Sequence, residues 1–147
     1  MSMESILFLA HRLPFPPNKG DKVRSFHFLQ HLSTRYRVHL GTFIDDPSDW
    51  RHVEALRGHC AEMCIEPIVP WSKRARSITG LLCGEALTLG YFRSQRLHQW
   101  VKEVTGRTRI ARAFAFSSPM AQYALELPDV RCFIDMVDMD SLKWAEY

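Results

Sequence analysis

The chain has 147 residues, 46% hydrophobic and 12% aromatic, enough for one domain with a real core, which sets intrinsic disorder aside. Nineteen basic residues are nearly balanced by 16 acidic ones, and a net charge of +3 leaves no nucleic-acid footprint. No apolar run approaches the ~20 residues of a membrane span, and Met1-Ser2-Met3-Glu4 lacks the basic start of a signal peptide, so a cytoplasmic chain with reduced thiols is expected.

The first predicted strand, Ser5 to Ala10, is apolar at every position from Ile6. Continuous apolarity without alternation means burial on both faces, as in a parallel sheet covered by helices. The following loop, HRLPFPPNKG, runs to Gly20, with Asp21 as the expected N-cap of a helix to about Thr34 and Gly20 supplying backbone freedom before it. Val23, Phe26, Leu29 and Leu32 form the expected apolar side, with Phe28 beside them, while Lys22, Arg24, Gln30 and Arg35 face solvent.

A second strand is predicted over Arg37 to Ile44, ended by Asp45-Asp46-Pro47. Pro47 suits a first helical turn, with Asp46 or Ser48 as cap, and the short helix closes at Gly58. A third strand falls near Glu62 to Ile68. Trp71 to Leu82 reads as a short basic-and-apolar helix, Gly84 to Leu87 as a connector, and about Tyr91 or Phe92 to Val104 as a longer helix stopped by Gly106. The fourth strand lies within Ile110 to Phe116. Ser117-Ser118-Pro119 turns into a helix from Met120 to Leu127, and a fifth strand spans Arg131 to Val137. Repeated strand–helix alternation predicts an open parallel α/β sheet with right-handed crossovers. The chain stops just after the start of an amphipathic turn, Asp140 to Tyr147, so a fragment of a longer protein is expected.

In such a sheet, ligands collect beyond the carboxyl ends of the strands. The residues expected there are His11, Arg12, Lys19, Gly20, Asp21 and Lys22 after the first strand, and Asp45 and Asp46 after the second. Ser117 and Ser118 follow the fourth, and Asp138, Asp140 and Ser141 the fifth. A helix N-terminus with Lys19 and Lys22 beside it suits a phosphate, although Asp21 would repel one and no G-x-G-x-x-G or P-loop pattern is present. The bland alternative is a proline-stiffened turn with solvated lysines. His11 could position or deprotonate a hydroxyl or be a hydrogen-bonded structural residue, and Asp138 and Asp140 could pair as acid and base or simply cap a helix. Ser117 has no nucleophile-elbow context. The run Lys73 to Arg76 reads as a solvated face, with peripheral membrane contact as the alternative. Cys60 and Cys64 are separated by three residues, not by zinc-site spacing, so free thiols are expected in spite of His52 and His59 nearby.

Five stretches carry a family resemblance: ILFLAHRLPFPPNKGDKVRSFHFLQHL, HLGTFIDDPSDWRHVEAL, LLCGEALTLGYF, FSSPMAQY and IDMVDMDSLKWAEY. They cover nearly all of the chain, which resembles the N-terminal half of a GT-B glycosyltransferase of the family 4 type. Within that group it is most similar to the sugar transferases associated with PEP-CTERM/exosortase exopolysaccharide systems of bacteria. The resemblance implies a Rossmann-like acceptor-side domain facing a C-terminal donor domain, carrying a Glu-x7-Glu motif, that this chain lacks. It implies a retaining, metal-independent transfer with no cofactor, from a nucleotide-sugar donor to a glycan or lipid-linked acceptor. On that reading Lys19, Gly20, Asp21 and Lys22 form the donor-phosphate loop. His11, Arg12, Ser117, Ser118 and Asp140 face the acceptor, and Asp138 stands where many members carry a histidine beside the reacting sugar. Only Gly20 represents the family's glycine-rich loop. The chain alone is expected to be inactive. Two rivals are a stand-alone α/β ligand-binding or regulatory module, such as a receiver-like domain, and a small nucleotide or nicotinamide enzyme. His11 and Arg12 after the first strand argue against the receiver, and the missing fingerprint against the nicotinamide enzyme.

Overall fold

A computed structural model of the chain describes residues 3–68 and 92–135. The predicted helix at Trp71 to Leu82, the connector after it, and Asp138 with the segment beyond it lie outside the described residues. Five strands, β1 Ser5–Ala10, β2 Arg37–Ile44, β3 Glu62–Pro67, β4 Ile110–Phe116 and β5 Arg131–Asp135, form one sheet in the order β3-β2-β1-β4-β5. Every pairing is parallel, for example Ile6 with Val38 and Phe8 with Phe114. The fold is an open, Rossmann-like α/β sheet with helices on both faces.

Helix α1, Gly20–Ser33, follows β1, and a short helix α2, Val53–Leu56, follows a 3-10 stretch at Pro47–His52. Both pack on one face, where Leu29 and Leu56 join Ile6, Phe8, Val38, Leu40 and Ile44. Helix α3, Gln95–Arg107, covers the other face through Leu97, Val101 and Val104, against Leu7, Leu9 and Phe43. β1 is therefore sandwiched, and Leu7, Phe8 and Leu9 are fully buried. Each such side chain contributes roughly 1.5–3 kcal/mol by leaving water. β2 lets α3 approach through Gly41, where an added Cβ would sit 2.9 Å from carbons of both Leu9 and Leu97. β5 is thinly covered, with Phe133 48% and Ile134 41% exposed.

Strand limits at β2 and β4 match the sequence reading, while helix limits differ for local reasons. α3 begins at Gln95 because the Ser94 side chain caps it, accepting from the Leu97 N–H at 3.2 Å. Phe92 precedes the helix, and Gly106 lies inside its last turn, with Thr108 at the C-cap. The segment after β4 is a 3-10 helix, Ser118–Tyr123, not an α-helix to Leu127. Its bonds run mainly from a residue to the carbonyl three before it, as in Met120 to Ser117 and Ala124 to Ala121.

α1 also presents a different stripe from the one expected. Lys22, Ser25 and Leu29 are buried and Val23 is exposed, so the inward face starts one residue earlier than the apolar pattern indicates. The reason is a buried ion pair. Lys22 Nζ lies 2.6 Å from Asp49 Oδ2, with the two side chains 4% and 8% exposed. A lysine belongs in a core only with such a partner, and 27 residues of chain separate the two.

Candidate functional site

Strand order reverses between β1 and β4, because β2 and β3 are added on one side of β1 and β4 and β5 on the other. In open parallel sheets, ligands collect at the carboxyl rim beside such a reversal. The two loops singled out by sequence, His11 onward and Ser117-Ser118, flank this point. No sequence pattern placed them side by side.

The β1 loop is organised by Asp21. Its carboxylate takes His11 Nε2 at 3.3 Å and Arg12 Nη1 at 3.4 Å, and accepts the Lys22 backbone N–H at 3.0 Å. Arg12 reaches on through Nε to Asp45 at the end of β2, at 3.2 Å. The loop is also pinned by a backbone bond from Leu13 N–H to the Phe43 carbonyl, and its Phe15-Pro16 peptide is cis. His11 stacks on Phe116, with centroids 5.9 Å apart, and meets Phe92 edge-on at 5.8 Å. Burial lowers its pKa against the opposing pull of Asp21, so the ring is neutral near pH 7. Nδ1 is buried without a well-formed hydrogen bond, although the Phe116 main chain lies close enough to favour a proton on the ring. With 14% of its side chain exposed, His11 chiefly ties the β1 loop to α1.

Three expectations about the start of α1 are corrected. The N-cap is Lys19, in extended backbone, and Asp21 sits in the first turn. Gly20 is helical, so no left-handed backbone requires a glycine there, and a Cβ added to it meets nothing within 4 Å. Lys22 does not face solvent, because Asp49 holds its charge in the interior. Of the phosphate-loop residues, Lys19 and Gly20 remain exposed, while Asp21 sits beside the helix N–H groups as an internal anion. Asp46 caps the 3-10 stretch, accepting from the Ser48 N–H and hydroxyl, and these bonds lower its pKa.

The opposite wall is built differently. Ser117 ends β4 with φ 89° and ψ 135°, a conformation that glycine adopts readily and other residues at a cost of about 1–3 kcal/mol. It is held by its N–H, which donates to the Asp135 carbonyl at 3.0 Å, and by its carbonyl, which accepts from Met120 at 3.1 Å. The hydroxyls of Ser117 and Ser118 have no hydrogen-bond partner among the described residues, and both residues are half-buried. Beside them, Arg24 of α1 bonds Asp135 at 2.8 Å while lying about 6 Å above the rings of Phe28 and Phe116. Tyr123, whose pKa burial raises beyond the ordinary phenol range, accepts from the Ser94 N–H and donates to the Phe92 carbonyl. That bond pair fixes Phe92 at the rim.

The structure thus brings together His11, Arg12, Asp21, Ser117 and Ser118, and turns Lys22 inward. Asp138 and Asp140 lie outside the described residues. Sequence reasoning missed Arg24, Asp49, Phe92 and Asp135. An acidic residue closing the apolar run Cys132-Phe133-Ile134 was a legible signal for Asp135, whereas the Asp49 and Phe92 contacts depend on chain folding alone. Cys60, Cys64 and Cys132 are free, and burial raises the first two thiols to about 12 and about 11. Among the described residues, no three metal-binding side chains converge, and no helix is long and apolar enough to cross a membrane. An open hollow of about 470 Å³ lined by Val53, Arg57, Cys60, Glu62, Met63 and Ile65 lies along β3, away from the switch point.

The fold defines a class: a Rossmann-like α/β domain with its strand order reversing between β1 and β4. Comparison with known proteins adds little beyond that. No protein-family model and no curated protein matches the chain. Among solved structures, the chain is similar to the N-terminal domain of a trehalose-6-phosphate phosphatase from Candida albicans, at 12% identity and a TM-score of 0.46. The alignment covers 88% of this chain but 32% of that one, so this chain spans about a third of its length.

Proposed function

We propose that the domain is the acceptor-side half of a retaining, nucleotide-sugar-dependent glycosyltransferase in bacterial exopolysaccharide synthesis. Its donor would be held by a C-terminal domain of the full-length protein. The observation that carries this reading is the meeting of the β1 loop and the β4 turn at the switch point, because the segments that resemble the family are the ones that form both walls. Glycosyl transfer makes the sugar cation-like and leaves charge on the departing pyrophosphate. Lys19 and the free N–H groups at the start of α1 would stabilise that charge across the cleft. Ser117 and Ser118 would contact the acceptor, His11, Arg12 and Asp21 would hold the wall in shape, and Asp138, with Asp140, would orient the attacking hydroxyl. No metal or cofactor is invoked. A glycan or lipid-linked acceptor, and peripheral contact of the basic Lys73 to Arg76 run with the inner face of the membrane, belong to the same proposal.

The test is transfer from a panel of nucleotide sugars by the full-length protein and by the 147-residue chain. Transfer by the former only is expected, and robust turnover by the chain alone would overturn the acceptor-half assignment. Gly20→Leu in the full-length enzyme should cut transfer by tenfold or more with stability changed by less than about 0.5 kcal/mol, because the added side chain starts in open space. Unchanged turnover would make the loop a turn only. A second reading, a stand-alone ligand-binding module, is favoured by one feature, the mutual pairing of the rim charges within this chain. Ligand binding by the full-length protein without transfer of any sugar would select it.

A further inference from the structure

β2 is buried at every position from Val38 to Ile44, and His39 stands in that run with 3% of its side chain exposed. It shares the side of Gly41 and Phe43, the face that α3 covers. Leu7 of β1 and Glu62 of β3 flank it in the sheet. Nδ1 lies 3.5 Å from Glu62 Oε2, and neither ring nitrogen makes a well-formed hydrogen bond among the described residues. Glu62 is gripped by α3, because Arg107 donates to its Oε1 through Nη2 and Trp100 donates to it as well. Trp100 and Arg107 are seven residues apart and so lie on one side of the helix. Arg107 is the last residue of α3 and is 55% exposed. One carboxylate thus joins an enclosed histidine of β2 to the C-terminal turn of α3.

We propose that His39, Glu62 and Arg107 form a proton-operated latch, which holds the last turn of α3 on the sheet at neutral pH and releases it in mildly acid solution. Among the described residues, the charges that bear on His39 are Glu62 of β3, Arg107 of α3 and Arg37 of its own strand. Glu103 of α3 acts on Arg107, and β1 brings no titratable side chain. Burial outweighs the pull of Glu62 and lowers the pKa of His39 from 6.5, so near pH 7 the ring is neutral and Glu62 serves α3. Glu62, whose own pKa Arg107 lowers, stays ionised as the histidine titrates. A proton taken from solvent sets a second cation beside the carboxylate that Arg107 already uses. Arg107 can swing into water, whereas the imidazolium is hydrated only when the last turn of α3 lifts. Lifting therefore binds a proton, and its equilibrium constant rises by up to about tenfold per pH unit below 6.5, until the enclosed ring itself titrates. The latch is independent of the glycosyltransferase reading.

The experiment is native-state amide exchange of the 147-residue chain, read by NMR at about pH 7.5 and 5.5 and corrected for the intrinsic pH dependence of exchange. Protection of Val104 to Thr108 should stay below that of Leu7 to Leu9, the mark of a local opening, and should fall about three- to tenfold between the two pH values. His39→Leu should abolish that fall, and His39→Gln, which keeps a polar side chain, repeats the test. His11→Gln should leave it in place, which separates the latch from the other buried histidine. Arg107→Gln removes the competing cation and should raise the midpoint at which the His39 ring protons titrate. No fall in the parent chain, an equal fall without His39, or protection equal to that of β1 would overturn the latch. So would a His39 midpoint unmoved by Arg107→Gln.

Discussion

The two walls at the switch point, the β1 loop and the β4 turn, solve one problem in opposite ways. The β1 loop is charged and closed on itself. Asp21 serves His11, Arg12 and a helix N–H at once, and Arg12 ties the loop to β2. The β4 turn is neutral, short and strained, and keeps two hydroxyls without partners among the described residues. Charge in the first wall stabilises shape. In the second, backbone free energy is held at a single residue. A charged group at a strand end is therefore weak evidence for ligand binding until its partners are known, and here the charges are mostly structural.

The largest expected effect lies beneath the first wall. Lys22→Met leaves Asp49 buried without a counter-charge and should cost about 3–5 kcal/mol, a fall in Tm of the order of 10 °C by thermal unfolding. Adding Asp49→Leu should recover most of it. If Lys22→Met alone is neutral, the wall is not held from below.

Asp21→Ala should cost about 1–2 kcal/mol in urea unfolding, because three donors lose their acceptor at a partly exposed site. An unchanged midpoint would mean that the network is a solvated cluster.

Acid should weaken the protein by a smaller amount. Burial lowers the pKa of both His11 and His39 from 6.5, so the folded state favours the neutral rings. Their contribution is complete above about pH 6.5 and is lost as pH falls below it, because the unfolded chain takes up protons first. The slope cannot exceed about 1.4 kcal/mol per pH unit for each histidine. Denaturation between pH 7.5 and 5.5 avoids the carboxylates Asp46 and Glu62, whose lowered pKa values act in more acid solution. His11→Gln should flatten this slope, and an equally steep slope in that variant would assign the acid loss to His39 and other groups.

The smallest effect is on the second wall. Ser117→Gly should raise stability by about 1 kcal/mol, or 2–4 °C in Tm, by relieving the positive φ. A destabilised variant would show that the side chain holds the turn.

What the sequence determined by itself is periodicity and composition. The apolar run Ile6 to Ala10 implied a strand buried on both faces, and alternation of strands and helices implied a parallel sheet. The strand ends at Arg37–Ile44 and Ile110–Phe116 were legible because β-branched, aromatic and apolar residues stop there at acids or serines. Tertiary structure alone decided the strand order that sets Ser117 beside His11, and the partner 27 residues away that turns Lys22 inward. It also decided the main-chain bonds to Asp135 and Met120 that hold Ser117 at positive φ. The physical reason is range. A local pattern reports which face of an element is apolar, but the sign, burial and strain of a group depend on what the folded chain brings against it.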